Sequence, residues 1–252
     1  MPCSHLQTKS GEVSSVSGKG RSRVAFIPAR GGSKRIPRKN MREFLGKPML
    51  AWPIEALRSS ELFDQIIVSS EDSEILDLAH EFGAATSVRD QNLSDDLTHA
   101  SEVLREWLAS DESTVSEDQW VYLVYPTAPV TPSLISDFVD FAEREESFAL
   151  TIAPFTLAIQ RALQMGEGSW VTFREPKFAN TRTQDLETFF FDCGKIYGAT
   201  KKTWSHGWHP LQFSGRGYIV PDWLAFDLDH EEDWLVAESK VRIESSGEKI
   251  DK

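Results

Sequence analysis

From Val24 onward the chain alternates short, unbroken apolar runs with stretches whose apolar residues recur every three or four positions. A run apolar on both faces needs cover on both sides, and an amphipathic helix between two such runs acts as a crossover. Val24–Pro28, Gln65–Ser69, Trp120–Tyr125 and Phe148–Ala153 are the strand candidates. Helices are expected over Pro48–Ser59, with an irregular first turn at Pro53, and over Ser133–Glu143. Two more are expected between them. One carries Ile75, Leu78, Ala79 and Phe82 on a single face and ends at Gly83; the other carries Val103, Leu104, Trp107 and Leu108 after a Thr98 cap. This order predicts an α/β fold with a doubly wound, mostly parallel sheet. The alternation fails over about 155–187, where Gly166, Gly168, Pro176 and scattered aromatics predict an inserted arm, and resumes near Phe189–Tyr197. Trp223–Leu228 reads as a strand and His230–Ser239 as a helix. Residues 1–22, rich in Ser, Gly and Lys, read as a flexible extension ahead of one domain over 23–245.

Composition narrows the partners. The 252 residues hold no apolar run near the ~20 needed to cross a bilayer. Met1–Gly20 lacks the apolar core of a secretory signal, so a cytoplasmic location is the expectation. Cys3 and Cys193 form neither a disulfide framework nor a zinc-ligand pattern. The net charge is −12, yet residues 18–47 hold ten basic residues against the single acid Glu43. The remainder carries 17 basic against 38 acidic residues. A broad basic face for nucleic acid or anionic membrane is therefore not expected, whereas one concentrated anion site is.

That site falls in Pro28-Ala29-Arg30-Gly31-Gly32-Ser33-Lys34-Arg35-Ile36-Pro37-Arg38-Lys39-Asn40, directly after the first strand. Two glycines allow positive φ, which would aim successive N–H groups into one concavity, and Arg30, Lys34, Arg38 and Lys39 would ring it with charge. Such a cradle suits a polyphosphate. It is not a Walker A loop, because the lysine follows the serine. The plain alternative is a solvated basic loop. A second candidate is Asp227-Leu228-Asp229: on a strand, residues i and i+2 face one side, so both carboxylates would reach one hard cation. Asp229 and Glu232 also have capping-box spacing for the last helix. His206 and His209, at i and i+3, are weak metal candidates, and Cys193 reads as a packed thiol rather than a nucleophile.

The run from Arg30 to Asn40, followed by Gly46-Lys47-Pro48, resembles the N-terminal signature of the cytidylyltransferases that activate nonulosonic acids, the CMP-sialic acid synthetases and their relatives. The likeness covers about residues 23–240 and is greatest to the branch acting on pseudaminic acid. Leu93-Ser94-Asp95-Asp96, Tyr125-Pro126-Thr127-Ala128-Pro129, Arg182-Thr183-Gln184-Asp185-Leu186-Glu187, Asp192-Cys193-Gly194-Lys195-Ile196-Tyr197 and the segment Asp227–Trp234 carry it. Cys193-Gly194-Lys195 departs from the family's usual Ala-Gly-Gln, and Ala100 stands where a small hydroxyl residue is usual, with Ser101 as its candidate replacement.

The resemblance implies a Rossmann-like nucleotidyltransferase fold and a reaction of CTP with a nine-carbon α-keto acid sugar, giving the CMP-sugar and pyrophosphate. By resemblance Arg30, Lys34 and Lys39 are catalytic, and Ala29, Arg30, Gly31, Gly32, Ser33, Lys39, Asn40 and Arg89 bind the nucleotide. Gln184, Asp192 and Tyr197 would face the sugar, and Asp227 and Asp229 would hold Mg²⁺. The resemblance also implies a homodimer in which the 155–187 arm reaches the partner's sugar pocket, where Arg161, Lys177 and Arg182 would meet a carboxylate. The general base is not assigned. Neighbouring substrates are N-acetylneuraminate, legionaminate and 3-deoxy-octulosonate. A glycosyltransferase is disfavoured, because its acidic metal motif would follow the central strand, where Tyr125-Pro126-Thr127-Ala128-Pro129 has no acid. An inactive nucleotide-binding regulator is the alternative of another class. Deleting residues 1–20 is expected to leave CTP turnover unchanged, and a large loss in a pyrophosphate-release assay would make the extension part of the site.

Overall fold

A computed structural model describes residues 21–95, 98–145, 147–206 and 215–246. The expectation for residues 1–20, and those resting on Asp96 and His209, lie outside them. The core is a seven-stranded sheet. Its strands are β1 (Arg23–Pro28), β2 (Gln65–Ser70), β3 (Ala85–Val88), β4 (Trp120–Val124), β5 (Ala149–Pro154), β6 (Phe190–Thr200) and β7 (Arg216–Ile219). Across the sheet they lie in the order β7-β5-β6-β4-β1-β2-β3. The pairs β1–β2, β1–β4, β2–β3 and β5–β7 are parallel, while β6 runs against both β4 and β5. The doubly wound α/β expectation holds, with one reversed strand.

The helices are α1 (Ala51–Ser59), α2 (Ser73–Glu81), α3 (Ala100–Ala109), α4 (Pro132–Glu145), α5 (Lys201–Ser205) and α6 (Glu231–Ser246). They cover both faces. Ala25 and Ile27 of β1 join the cluster holding Ile54 and Leu57 of α1, Ile75 of α2 and Phe138 of α4. Val24 and Phe26 join the opposite cluster with Leu104 and Trp107 of α3 and Trp204 of α5. That two-sided burial is why β1 reads as an unbroken apolar run. A third cluster lies beside the sheet and joins Ile36, Phe44 and Met49 to Leu228 and to Trp234, Ala237 and Val241 of α6.

Several elements differ from expectation. Pro48 sits in a two-residue strand paired with Glu43–Phe44, and α1 begins at Ala51. Helix α3 is entered at His99, whose N–H donates to Glu102 Oε2 (3.2 Å), while Thr98 binds Asp95 Oδ1 through its N–H and hydroxyl, each at 2.7 Å. Trp223–Leu228 is not a strand: a 3₁₀ turn at Asp222–Leu224 leads into irregular chain. The edge strands β3 and β7 escape the apolar pattern because most of their residues are exposed. Strand β6 is reversed because it is entered from the arm rather than from a crossover helix. The arm holds a short hairpin, Leu163–Met165 with Val171–Phe173, and 3₁₀ turns that include Ile159–Arg161, Pro176–Phe178 and Thr183–Asp185. Among the described residues no helix is long and apolar enough to cross a membrane.

One half-buried polar knot ties β1, β4 and α4. Arg23 donates to both Glu143 oxygens (2.5 and 3.0 Å), and Tyr122 donates to Oε1 (3.0 Å). Arg23 and Glu143 are only 16% and 12% exposed. Glu143→Ala leaves a half-buried guanidinium and a buried phenol without their acceptor, so urea unfolding is expected to show a loss of about 2 kcal/mol.

Candidate active site

The sheet order turns between β1 and β4, and a doubly wound sheet binds ligands outside the carboxyl ends of its strands at such a switch point. A cleft of about 480 Å³ opens there. Its walls come from the loop after β1, from Arg89, from the start of α3 and from Tyr125-Pro126-Thr127 after β4. A wider depression of about 760 Å³, by Phe63–Ile67 and Glu112, lies at the opposite ends of β2 and β3.

The cationic wall departs from expectation in one residue and in its backbone. Arg30, Ser33, Lys34, Arg35 and Lys39 line the cleft. Arg38 does not; it is held by Asp72 (2.6 Å) and Glu74 (2.7 Å). Neither Gly31 nor Gly32 takes a positive φ. The Ala29 N–H extends the β1–β2 ladder to Ser69 O (2.9 Å), the Gly31 N–H donates to Glu71 Oε1 (2.8 Å), and the Ser33 N–H donates to Gly31 O (3.0 Å). These three amides are engaged within the protein and do not face an anion. Gly31 is a glycine for a different reason: a Cβ there would collide with Asp72, which caps α2 through the Glu74 N–H (2.9 Å). Gly32 has open space around it.

Two buried side chains hold unused hydrogen-bonding capacity at the wall. Asn40, 5% exposed, donates Nδ2–H to Arg30 O (2.9 Å), and its Oδ1 has no partner among the described residues. Arg89, 8% exposed, donates through Nη2 to Ser69 O (2.8 Å), and its Nε has none. Burial lowers the Arg89 pKa against the opposing pull of Glu71. Glu71 Oε2 is also unpartnered. Unmet buried groups are costly, and two of them belong to Asn40 and Arg89, which line the cleft, an arrangement that suits a polar ligand. Glu71 carries no motif signal and was not legible as a site residue.

Asp227 and Asp229 come beside Lys39 and Arg35 of the cationic loop without a strand, and neither lines the cleft itself. Lys39 Nζ donates to the carbonyl of Leu228 between them (2.8 Å). Burial lowers the Lys39 pKa; Asp227 and Asp229 oppose that, while Arg35 and Arg30 reinforce it. Arg35 is ion-paired with Asp229 at 2.5 Å. The capping duty foreseen for Asp229 with Glu232 falls to Asp233, whose Oδ2 accepts from the N–H groups of Asp229 (3.0 Å) and His230 (2.7 Å). Among the described residues no three His, Cys, Asp or Glu side chains are grouped to hold a metal. Two carboxylates do suffice for Mg²⁺ where substrate phosphates complete its shell, so this donor set fits that ion.

The remaining expected residues lie outside the cleft wall. Tyr197 is buried and donates to Asp192 (2.8 and 2.7 Å to its two oxygens), with its ring 5.8 Å from that of Tyr125. Burial first, then the Asp192 charge, pushes Tyr125 up to about 12. Tyr125 lines the cleft with Tyr197 packed beside it, while Asp192 is exposed. Gln184 is exposed in an arm turn. Ala100 lines the cleft, whereas Ser101 is buried and does not replace it at the wall. Lys195 is a cation missed by site reasoning: it is 2% exposed and donates to Phe226 O (2.7 Å).

Comparison with known proteins gives relatives in sequence and in fold. Residues 24–130 match a family model described as cytidylyltransferase. The chain is 35% identical over 223 residues to the pseudaminic acid cytidylyltransferase of Campylobacter jejuni strain 81-176, covering 87% of this chain and 96% of that one. It is 31% identical over 236 residues to a CMP-N,N'-diacetyllegionaminic acid synthase of Legionella pneumophila, again covering 87% and 96%. A solved CMP:2-keto-3-deoxy-manno-octonic acid synthetase in complex with CTP superposes with a TM-score of 0.63 at 15% identity, over 89% of this chain and 99% of that one, a likeness of fold.

The buried lysine sets a pH dependence of stability. Burial depresses Lys195 from 10.5 to about 8. Its charged form is penalised in the folded state, fully below pH 8. Between about pH 8 and 10.5 the unfolded chain binds more protons, so this contribution to stability rises with pH. Relative to Lys195→Met, the parent is expected to gain about 2 kcal/mol between pH 7 and pH 10 in metal-free urea titrations. A pH-independent difference would show that the ammonium is not desolvated.

Proposed function

Because this chain belongs to the nonulosonic acid cytidylyltransferase family and is a nucleotidyltransferase, we propose that it joins CTP to pseudaminic acid, releasing pyrophosphate. The observation that supports the reading is the Lys39–Leu228 hydrogen bond, which joins the cationic loop lining the cleft to the segment carrying Asp227 and Asp229. The C. jejuni relative's name supports the choice of sugar.

In this reading the sugar's anomeric hydroxyl attacks the α-phosphorus of CTP and pyrophosphate leaves. The protein's part is positioning and neutralisation of charge. Arg30, Lys34 and Lys39 hold the triphosphate and stabilise the departing pyrophosphate; Arg35 adds charge at the same wall. Asn40 and Arg89, whose Oδ1 and Nε have no partner among the described residues, line the wall on the nucleoside side of this reading. Asp227 and Asp229 would hold Mg²⁺, which supplies Lewis-acid neutralisation of phosphate oxygens when bound.

A homodimer belongs to the same proposal. The arm leaves Leu157 80%, Met165 72% and Trp170 80% exposed. A second copy of the chain is the natural cover for that apolar face. Of the arm's cations, Arg182 is engaged by Asp185 (2.7 Å) and Lys177 by Glu175 (3.4 Å), both at exposed positions open to exchange for a sugar carboxylate.

Lys39→Ala is expected to lower kcat by about two to three orders of magnitude with the circular dichroism spectrum unchanged. Near-parental turnover would remove the phosphate assignment. Asp227→Asn is expected to abolish activity or its Mg²⁺ dependence, and an unaltered metal response would refute the ligand role. Pseudaminic, legionaminic, N-acetylneuraminic and 3-deoxy-octulosonic acids, supplied singly with CTP and Mg²⁺, decide the substrate. Conversion of a sugar other than pseudaminic acid as the preferred one would overturn that part of the reading.

A further inference from the structure

Lys195 is an expensive residue to bury, and nothing in the packing of the core calls for it. An apolar side chain of similar length would avoid the desolvation cost. Its backbone is nonetheless closely anchored. The ladder from β6 to β5 breaks between Asp192 and Tyr197, with Gly194 at φ +61°. Across that bulge the N–H groups of Lys195 and Ile196 both donate to Thr151 Oγ1 (3.3 and 3.0 Å), and the Gly194 N–H donates to Asp192 Oδ1 (3.0 Å). A bulge of this kind re-aims a side chain.

The side chain ends at the carboxylate loop. Its ammonium donates to Phe226 O at 2.7 Å and stands 4.4 Å from the centre of the Phe226 ring. Two residues on, Leu228 O accepts from Lys39 at 2.8 Å. Alternate carbonyls of one irregular segment are thus each gripped by a lysine, one from β6 and one from the loop after β1. The intervening residue is Asp227, whose Oδ1 accepts the Leu228 N–H (2.8 Å) and whose charge favours the protonated form of both lysines. The Leu228 side chain is locked into the third apolar cluster.

We propose that Lys195 is a positioning residue which, paired with Lys39, pins the backbone on either side of Asp227 and so fixes the carboxylate that faces the cation and the polyphosphate. The inference rests on the functional reading above and adds to it a residue that touches neither substrate. A charge-assisted hydrogen bond at each end stiffens a segment that has no regular secondary structure of its own.

Hydrogen exchange followed by mass spectrometry on the ligand-free protein tests the pinning. In Lys195→Met, peptides covering 222–232 are expected to exchange about tenfold faster or more, with the sheet strands at parental rates. Lys195→Gln, which keeps a donor without the charge, is expected to fall between. Mn²⁺ titration by electron paramagnetic resonance in the presence of CTP supplies the second readout: affinity is expected to fall about tenfold in Lys195→Met and to recover in part in Lys195→Gln. In turnover the Mg²⁺ concentration for half-activity rises, while KM for CTP at saturating Mg²⁺ stays within about twofold. Parental exchange over 222–232, loosening spread over the whole sheet, or parental Mn²⁺ affinity in a loosened variant would each overturn the proposal. Should the parent turn over CTP with no sugar, the functional reading falls, while the exchange data still decide whether the lysine pins the loop.

Discussion

The packing of Leu228 and Trp234 against Ile36, Phe44 and Met49 is the interaction on which the site depends. It joins chain positions nearly the whole domain apart. Trp234 meets Phe44 edge-on at 5.5 Å between ring centres, and Arg42 lies 4.7 Å above the Trp234 ring while pairing with Glu231 at 2.6 Å. Each large apolar side chain buried here contributes about 1.5–3 kcal/mol, more than an exposed ion pair offers. Apolar burial therefore places the acidic segment beside the basic loop, and the charges refine a position already set.

Once assembled, the cleft holds its cations under tension. Arg30 and Arg35 both disfavour the charged form of Lys39, and Lys39 does the same to Lys195. Asp227 and Asp229 relieve part of this, and Arg35 takes up part of Asp229. A multiply charged anion would relieve the rest. The lowered Arg89 pKa, caused first by burial, and the unpartnered atoms of Asn40 and Arg89 belong to residues that line one cleft.

Much of this was legible in the residues. The strands buried on both faces announced themselves because their environment imposes uninterrupted hydrophobicity, and the cationic loop because four charges follow a strand end. What escaped has physical causes. Strands β3 and β7 lie at the edges with mostly solvent-facing residues, so no period marks them. Trp223–Leu228 is as hydrophobic as a strand because its side chains fill the clusters flanking α6, a demand that leaves no trace of backbone conformation. The glycines of the basic loop suggested a nest of amides; only tertiary packing reveals that Gly31 makes room for Asp72 and that its N–H belongs to Glu71. Lys195 read as one letter in a motif, and its burial could not be seen without the fold.

The arm leaves and rejoins the sheet through residues that are each other's neighbours. Pro154 pairs with Phe190, and the Phe155 N–H donates to Phe189 O at 2.9 Å. The whole excursion hangs from a single stem, and closing a longer or shorter loop over it changes the entropy only as the logarithm of its length. A different excursion can thus be grafted onto this stalk without moving a single rung of the ladder beneath.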